Sequence, residues 1–200
     1  MEKQHNRGQD GAGVVNIKLD MPAGSRYFNR FRSNGDAPIK EVFQNINAPI
    51  ENELENNPEK LNDEYWVKRN IPFAGELLLG HLRYGTYGKN SIEYCHPVLR
   101  QNNWKTRNIA LAGNFNLTNV DELFQNLLEL GQHPREKSDT VTVLEKIGHF
   151  LDEENEKLFN KFRDEGYSKR EITSLITDKL DVKNILQKSV KSWDGGYVIG

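Results

Sequence analysis

Near residue 119 the apolar pattern of this chain changes period, and that switch constrains the fold more than any other feature. Before it, apolar residues come in short runs of strand length: Val14 to Leu19, Arg26 to Phe31, Gly75 to Tyr84 and Asn108 to Leu111. After it, Val120, Leu123, Phe124, Leu127 and Leu128 recur at helical spacing and fall on one face. Asn119 and Glu122 have the spacing of a capping box, and Gly131 closes the predicted helix. A second helix is predicted from about Thr140 to Leu151, with Val141, Leu144, Ile147, Phe150 and Leu151 inward. Residues 152–191 read as charged and helical, with Ser168 and Glu171 forming another cap pair. Trp193 to Gly200 reads as a turn leading into a strand. Strands followed by helices imply layers of sheet and helix, hence an α+β class.

Two segments of the first half stand out. GELLLGHLRY, from Gly75 to Tyr84, carries an apolar run of strand length and predicts a buried strand. Residues 45–70, NINAPIENELENNPEKLNDEYWVKRN, are polar, Asn-rich and twice interrupted by proline. They predict a surface excursion with a short helix around Leu61 to Lys68.

Composition narrows the function. A net charge of −2 removes the electrostatic reason to expect nucleic-acid binding. No apolar run approaches the roughly 18 residues of a membrane span, and MEKQHNRGQD has no secretory apolar stretch. One cysteine builds no intrachain disulfide and no cysteine-based zinc site. The five histidines have no metal-ligand spacing, and no phosphate-binding glycine loop is present. These features predict a cytoplasmic setting.

Polar clusters lie at the ends of predicted strands, where loops on a rigid scaffold commonly carry function. HNRGQDGAG runs from His5 to Gly13, GHLRYGTYG holds Arg83 and Thr86, and AGNFNLTN holds Asn114, Phe115 and Asn116 between a strand and a helix. Asp139 stands in SDT before the second long helix. Each also has a plainer reading. Arg83 fits a snorkelling strand-end residue, the asparagines fit turns and caps, Asp139 fits a helix N-cap, and Arg7 to Asp10 fits an ordinary turn. Cys95 and His96 are adjacent, so in a strand they point to opposite faces, which is poor geometry for a Cys–His nucleophile. Cys95 is expected to be a packed cysteine.

Taken in order, QHNRGQDGAG, GHLRYGTYG, AGNFNLTN and SDTV, with a closing GGYVIG, resemble the glutaminase domain of amidophosphoribosyltransferases, which are class-II glutamine amidotransferases. The family pattern is roughly QHRGQ(D/E)GAG, GH(V/L)RY with a following threonine, HNGNLTN, and (S/T)D(S/T)E before a helix. The matches span almost the whole chain. The resemblance implies a four-layer αββα N-terminal-nucleophile sandwich. In that family an N-terminal cysteine attacks the glutamine amide, with its own α-amino group as base. A glutamyl thioester is then hydrolysed, and the ammonia passes to a phosphoribosyltransferase domain for phosphoribosylamine formation in purine synthesis.

Carried onto this chain, the resemblance assigns Arg83 to the α-carboxylate of glutamine and Asp139 to its α-ammonium. Asn114 becomes the oxyanion donor, with the Phe115 backbone N–H as the second. Arg7 and Gly8 line the amide end, and Thr86 joins the glutamine-binding set. Three departures stand out: Asn6 is inserted before Arg7, Phe115 replaces the glycine after the oxyanion asparagine, and Gly113 replaces the histidine before it. A fourth is that no cysteine precedes the first motif.

The expectation is therefore a partial amidotransferase type-2 domain over 1–200, incomplete at both ends and inactive alone. It would carry a polar insertion at about 45–70, a charged helical insertion at about 152–191, and sheet edges that promote aggregation. No cofactor is expected in it; Mg2+ and phosphoribosyl pyrophosphate belong to the absent phosphoribosyltransferase domain. The full-length parent is expected to be a homo-oligomer with no nucleic-acid or membrane partner. The alternatives are a class-II amidotransferase with another acceptor, such as the hexosamine-phosphate type, and a non-catalytic glutamine-binding relative.

Overall fold

GAGVVNI, buried at every position but the last, forms β1 (Gly11–Ile17), the central strand of a three-stranded antiparallel sheet in the order β2-β1-β3. A computed structural model describes residues 1–85 and 91–200, with Arg7 as backbone only. The chain divides into two compact units, Met1–Pro97 with Gly200, and Val98–Ile199.

In the N-terminal unit a 3-10 helix, Glu2–Arg7, precedes β1. β2 (Phe28–Ser33) and β3 (Leu77–Arg83) pair on either side of β1, with Val14 opposite Phe31 and Gly80, and Gly11 opposite Arg83. Ala12 and Val14 project from one face and pack with Val42 of α1 (Pro38–Asn56). The expected surface excursion is in part this helix. Its stripe is narrow, Val42 being fully buried and Ile46 partly so. Pro49 lies inside it, where the missing N–H leaves the Asn45 carbonyl without its helical donor. The short helix predicted nearby is α2 (Glu64–Asn70), capped by the Asp63 carboxylate, which accepts from the Tyr65 and Trp66 amides.

The Gly75 to Tyr84 run does form a strand, β3, but not the buried one expected. β3 is at an edge of its sheet, and Leu77 and Leu78 are 51% and 62% exposed. Its start is held by side chains instead. Asn16 donates Nδ2 to the Leu77 carbonyl, buried Lys18 donates Nζ to the Ile71 carbonyl, and the Glu76 carboxylate accepts from the Leu19 amide.

In the C-terminal unit β4 (Val98–Arg100) pairs with β5 (Ile109–Leu111), and β6 (Gly113–Leu117) pairs with β7 (Gly195–Ile199), all antiparallel. AGNFNLTN is thus largely strand, because a second strand arrives from the far end of the sequence to pair with it. α3 (Val120–Glu129) follows the switch in period, and buried Leu123 and Leu127 face the core. Gly131, at φ +78°, ends it, with the Gly131 and Gln132 amides donating to Leu128 and Leu127 carbonyls.

The second long helix continues well past Leu151. α4 runs Asp139–Asp164, and its first half packs Val143, Leu144, Ile147 and Leu151 with Val98, Leu111, Leu117 and Leu123 in the main core. Its second half carries Leu158 and Phe162 into a separate cluster with Ile172 and Ile176 of α5 (Lys169–Lys179). Trp104 packs on that cluster, edge-on to Phe159 at 5.5 Å between ring centres. The capping box of Ser168 and Glu171 forms as read. α6 (Val182–Val190) returns Ile185 to the main core.

Candidate functional site

In the N-terminal unit, backbone contacts bring the first two motifs together. The Asp10 amide donates to the Arg83 carbonyl at 3.1 Å, and the Asp10 carboxylate accepts from the Gly85 amide at 2.7 Å. Gly8 lies against the end of β3, where a Cβ would come within 2.7 Å of the Leu82 carbonyl carbon. A Cβ on Gly11 would lie 2.6 Å from Cys95 Sγ. Glycine at that position therefore lets the cysteine pack over β1.

Arg83 is 8% exposed. Its guanidinium donates to the Ser91 carbonyl at 3.4 Å and lies 5.4 Å from the Tyr94 ring centre. Thr86 lies outside the described residues, and the side chain of Arg7 is not described. Cys95 is fully buried, with its Sγ 3.7 Å from the Ser33 carbonyl. Burial pushes its thiol pKa up, against the opposing pull of the nearby Arg83 and Arg32 guanidinium groups. A buried thiol held in its neutral form is a poor nucleophile. Ser91, Tyr94 and Cys95 were not singled out from sequence as neighbours of Arg83; the arginine–aromatic contact forms only because a short 3-10 turn, Ile92–Tyr94, precedes the cysteine.

A cavity of about 800 Å³ opens in this unit along the 3-10 helix and α1, and Gln9 of the first motif is on its wall.

In the C-terminal unit Asn114 is exposed on β6, opposite Val198. Phe115 turns its ring back over Gly113, where a Cβ would come within 2.7 Å of Phe115 Cζ. The absence of a side chain at 113 leaves room both for that ring and for the Val198 carbonyl oxygen, which a Cβ would approach to 2.5 Å. Asn119 is not the capping-box residue its spacing implies. Its side chain donates to the Ser192 carbonyl at 2.8 Å and accepts from the Asp194 amide at 3.1 Å, so it ties the end of β6 to the turn before β7. Thr118 adds its hydroxyl to the Asp194 carboxylate, and Lys146, buried on α4, donates to the Ser192 hydroxyl. Burial lowers the Lys146 pKa, opposed by the Glu122 carboxylate.

Asp139 is not the N-cap of α4. Ser138 takes that role, accepting from the Val141 amide, and Asp139 begins the helix. Its carboxylate is therefore left to the first turn, where the helix dipole favours negative charge. Among the described residues, no group of three or more His, Cys, Asp or Glu side chains is placed to hold a metal ion. No helix among them is long and apolar enough to cross a membrane.

No family model matches the chain. It is 32% identical over 144 residues to an amidophosphoribosyltransferase of Lacticaseibacillus casei, which covers 72% of this chain and 58% of that protein. It is 33% identical over 152 residues to the amidophosphoribosyltransferase of Bacillus subtilis, covering 74% of this chain and 25% of that protein. A glutamine–fructose-6-phosphate aminotransferase of Zymomonas mobilis is 30% identical over 95 residues, 48% of this chain and 14% of that protein. The chain spans from about a quarter to somewhat over half the length of the two amidophosphoribosyltransferases. Over about 70% of its length, at 26–33% identity, this chain is a relative of the amidophosphoribosyltransferases, which are transferase enzymes.

Proposed function

We propose that this chain is the glutamine-handling part of a class-II glutamine amidotransferase of the amidophosphoribosyltransferase kind. The observation that supports this reading most is the similarity to amidophosphoribosyltransferases over 144 residues, together with motifs at strand ends in the order of that family. The fold in which it works is the four-layer αββα sandwich.

In this reading Arg83 grips the α-carboxylate of glutamine through charge-assisted, bidentate hydrogen bonds. Asp139 pairs with the α-ammonium. Gly8, Arg7 and Thr86 border the amide end. A thiolate adds to the amide carbonyl, and the oxyanion that forms takes hydrogen bonds from the Asn114 side chain and the Phe115 N–H. Such donors are worth about 2.7–4 kcal/mol each in other enzymes. Collapse of this intermediate, with the proton first taken from the thiol passed by the α-amino base to the amide nitrogen, expels ammonia and leaves a thioester, which water hydrolyses to glutamate and the free thiol. In the whole protein the ammonia is delivered to phosphoribosyl pyrophosphate. Cys95 does not supply the thiolate, because it is buried and held protonated.

Titration calorimetry with glutamine and an ammonia-release assay test the reading on the 200-residue chain. Glutamine is expected to bind without ammonia release. Arg83→Ala is expected to weaken binding by roughly ten- to a hundredfold, the range for losing a hydrogen bond to a charged group. Unchanged affinity removes Arg83 from the pocket, and ammonia release abolished by Cys95→Ala overturns the exclusion of that cysteine. A matched ammonia-transfer assay on the longer protein, with fructose 6-phosphate against phosphoribosyl pyrophosphate, separates this acceptor from that of the hexosamine-type relative.

A further inference from the structure

A groove in the N-terminal unit lies along α1 and the 3-10 helix Glu2–Arg7, and it encloses about 800 Å³. It follows α1 from Ala37 to Glu51, about four helical turns. Ile39 and Phe43 supply an apolar floor, and the carboxylates of Glu2, Asp36 and Glu51 stand on its rim against one lysine, Lys40. Among the described residues none of these three carboxylates has an ion-pair or hydrogen-bond partner.

The acidic charge continues beyond the groove in an unfavourable way. Glu55 follows Glu51 by four residues, so like charges sit on one face of the helix. No basic residue lies in the last turn of α1, where the helix dipole is already negative. From Glu41 to Glu59 the chain has five glutamates and no lysine or arginine. Within this unit that arrangement costs stability, and an external cation would offset it.

We propose that this groove docks a basic amphipathic helix of a partner protein. Apolar side chains at i, i+3 or i+4, and i+7 of that helix rest on Ile39 and Phe43, and its lysine or arginine flanks meet Glu2, Asp36 and Glu51. Length, apolar floor and acidic rim match one such helix. The charge complementarity favours it over a second copy of this chain, whose own α1 would bring like charge to the groove.

The test is fluorescence anisotropy with the 200-residue chain and a labelled 18-residue amphipathic helix of leucine and lysine. A peptide of the same apolar pattern with glutamate for lysine is the control. Saturable binding to the basic peptide is expected, weakened by salt and at least tenfold by the combined Glu2→Gln, Asp36→Asn and Glu51→Gln changes. Phe43→Ala is expected to weaken it too; circular dichroism establishes that each variant is folded, and the exposed charge changes carry the test if Phe43→Ala unfolds. Equal binding of the acidic peptide, or unchanged affinity in the triple variant, overturns the proposal. So does self-association of the chain, seen by light scattering, that the basic peptide fails to displace.

Discussion

Arg83 and Asn114 stand on strands of two different kinds. Arg83 ends a strand hydrogen-bonded along its length to the centre of a sheet, and its guanidinium is buried against a carbonyl, an aromatic ring and a thiol. Asn114 is exposed on a two-stranded ladder, beside a residue, Val198, that is 72% exposed. The ladder packs Leu117, Phe115 and Ile199 on the main core, and Asn119, Thr118 and Lys146 tie its base. The difference teaches that one side chain of the proposed chemistry is itself set by packing, whereas the other stands in the open on a strand whose alternate residues are packed.

The strongest way to break this contrast is Gly11→Val. The added side chain meets Cys95 Sγ and displaces the segment that holds Arg83. A loss of about 1–3 kcal/mol is expected in denaturant unfolding, with Cys95 becoming reactive to a thiol reagent under native conditions. A stable variant with an inert cysteine would show that the packing around Arg83 is looser than described.

On the ladder, Gly113→His restores the residue of the family pattern but meets the Phe115 ring. It is expected to destabilise alone and to be rescued only in part by Phe115→Gly, because the Val198 carbonyl oxygen would still lie 2.5 Å from the added Cβ; a double-mutant cycle is expected to give a coupling of about 0.5–3 kcal/mol. Additive effects would mean that the two positions do not compensate.

Asn119→Ala removes both links to the turn before β7. A loss of about 1–3 kcal/mol, at or below that of Gly11→Val, is expected, with faster amide exchange confined to β6 and β7. Exchange that rises equally in β1 would contradict a local tie. Asn114→Ala, by contrast, is expected to change stability by less than about 0.5 kcal/mol, as at an exposed site with no such link; thermal melting decides.

The smallest effect concerns the clamp at the start of β3. Hydrogen bonds from Lys68 and the Leu19 amide lower the Glu76 pKa to about 2. A carboxylate depressed on folding stabilises the native state above its unfolded pKa, and that contribution is lost as pH falls from there through about 2. The group is exposed, so the effect is modest. Glu76→Gln should flatten the acid limb of the stability profile in that window, and a carboxyl resonance titrating near its ordinary value would refute the clamp.

Much of the helical half could be read directly. The 3.6-residue period of Val120 to Leu128, the Gly131 stop and the Ser168–Glu171 box are local signals with local causes. α1 was obscured because it buries a single narrow stripe beneath Asn, Glu and an internal proline, and it is held by packing on β1 rather than by its own pattern. The edge position of β3 was hidden for another reason: an unalternating Leu77-Leu78-Leu79 run says nothing about how many strands will flank it. Motif positions were legible, but their surroundings were not, since Tyr94 meets Arg83 and Asn119 meets Ser192 only after distant segments converge.

Trp104 gives the satellite cluster an optical consequence. The chain has three tryptophans: Trp66 in the N-terminal unit, Trp104 against Phe159, and Trp193 edge-on to Tyr197 of β7 at 4.9 Å. Each indole thus reports on a different neighbourhood. Variants retaining one tryptophan at a time would let emission spectra follow the α4–α5 cluster, the β6–β7 ladder and the N-terminal unit as separate signals during a single denaturation.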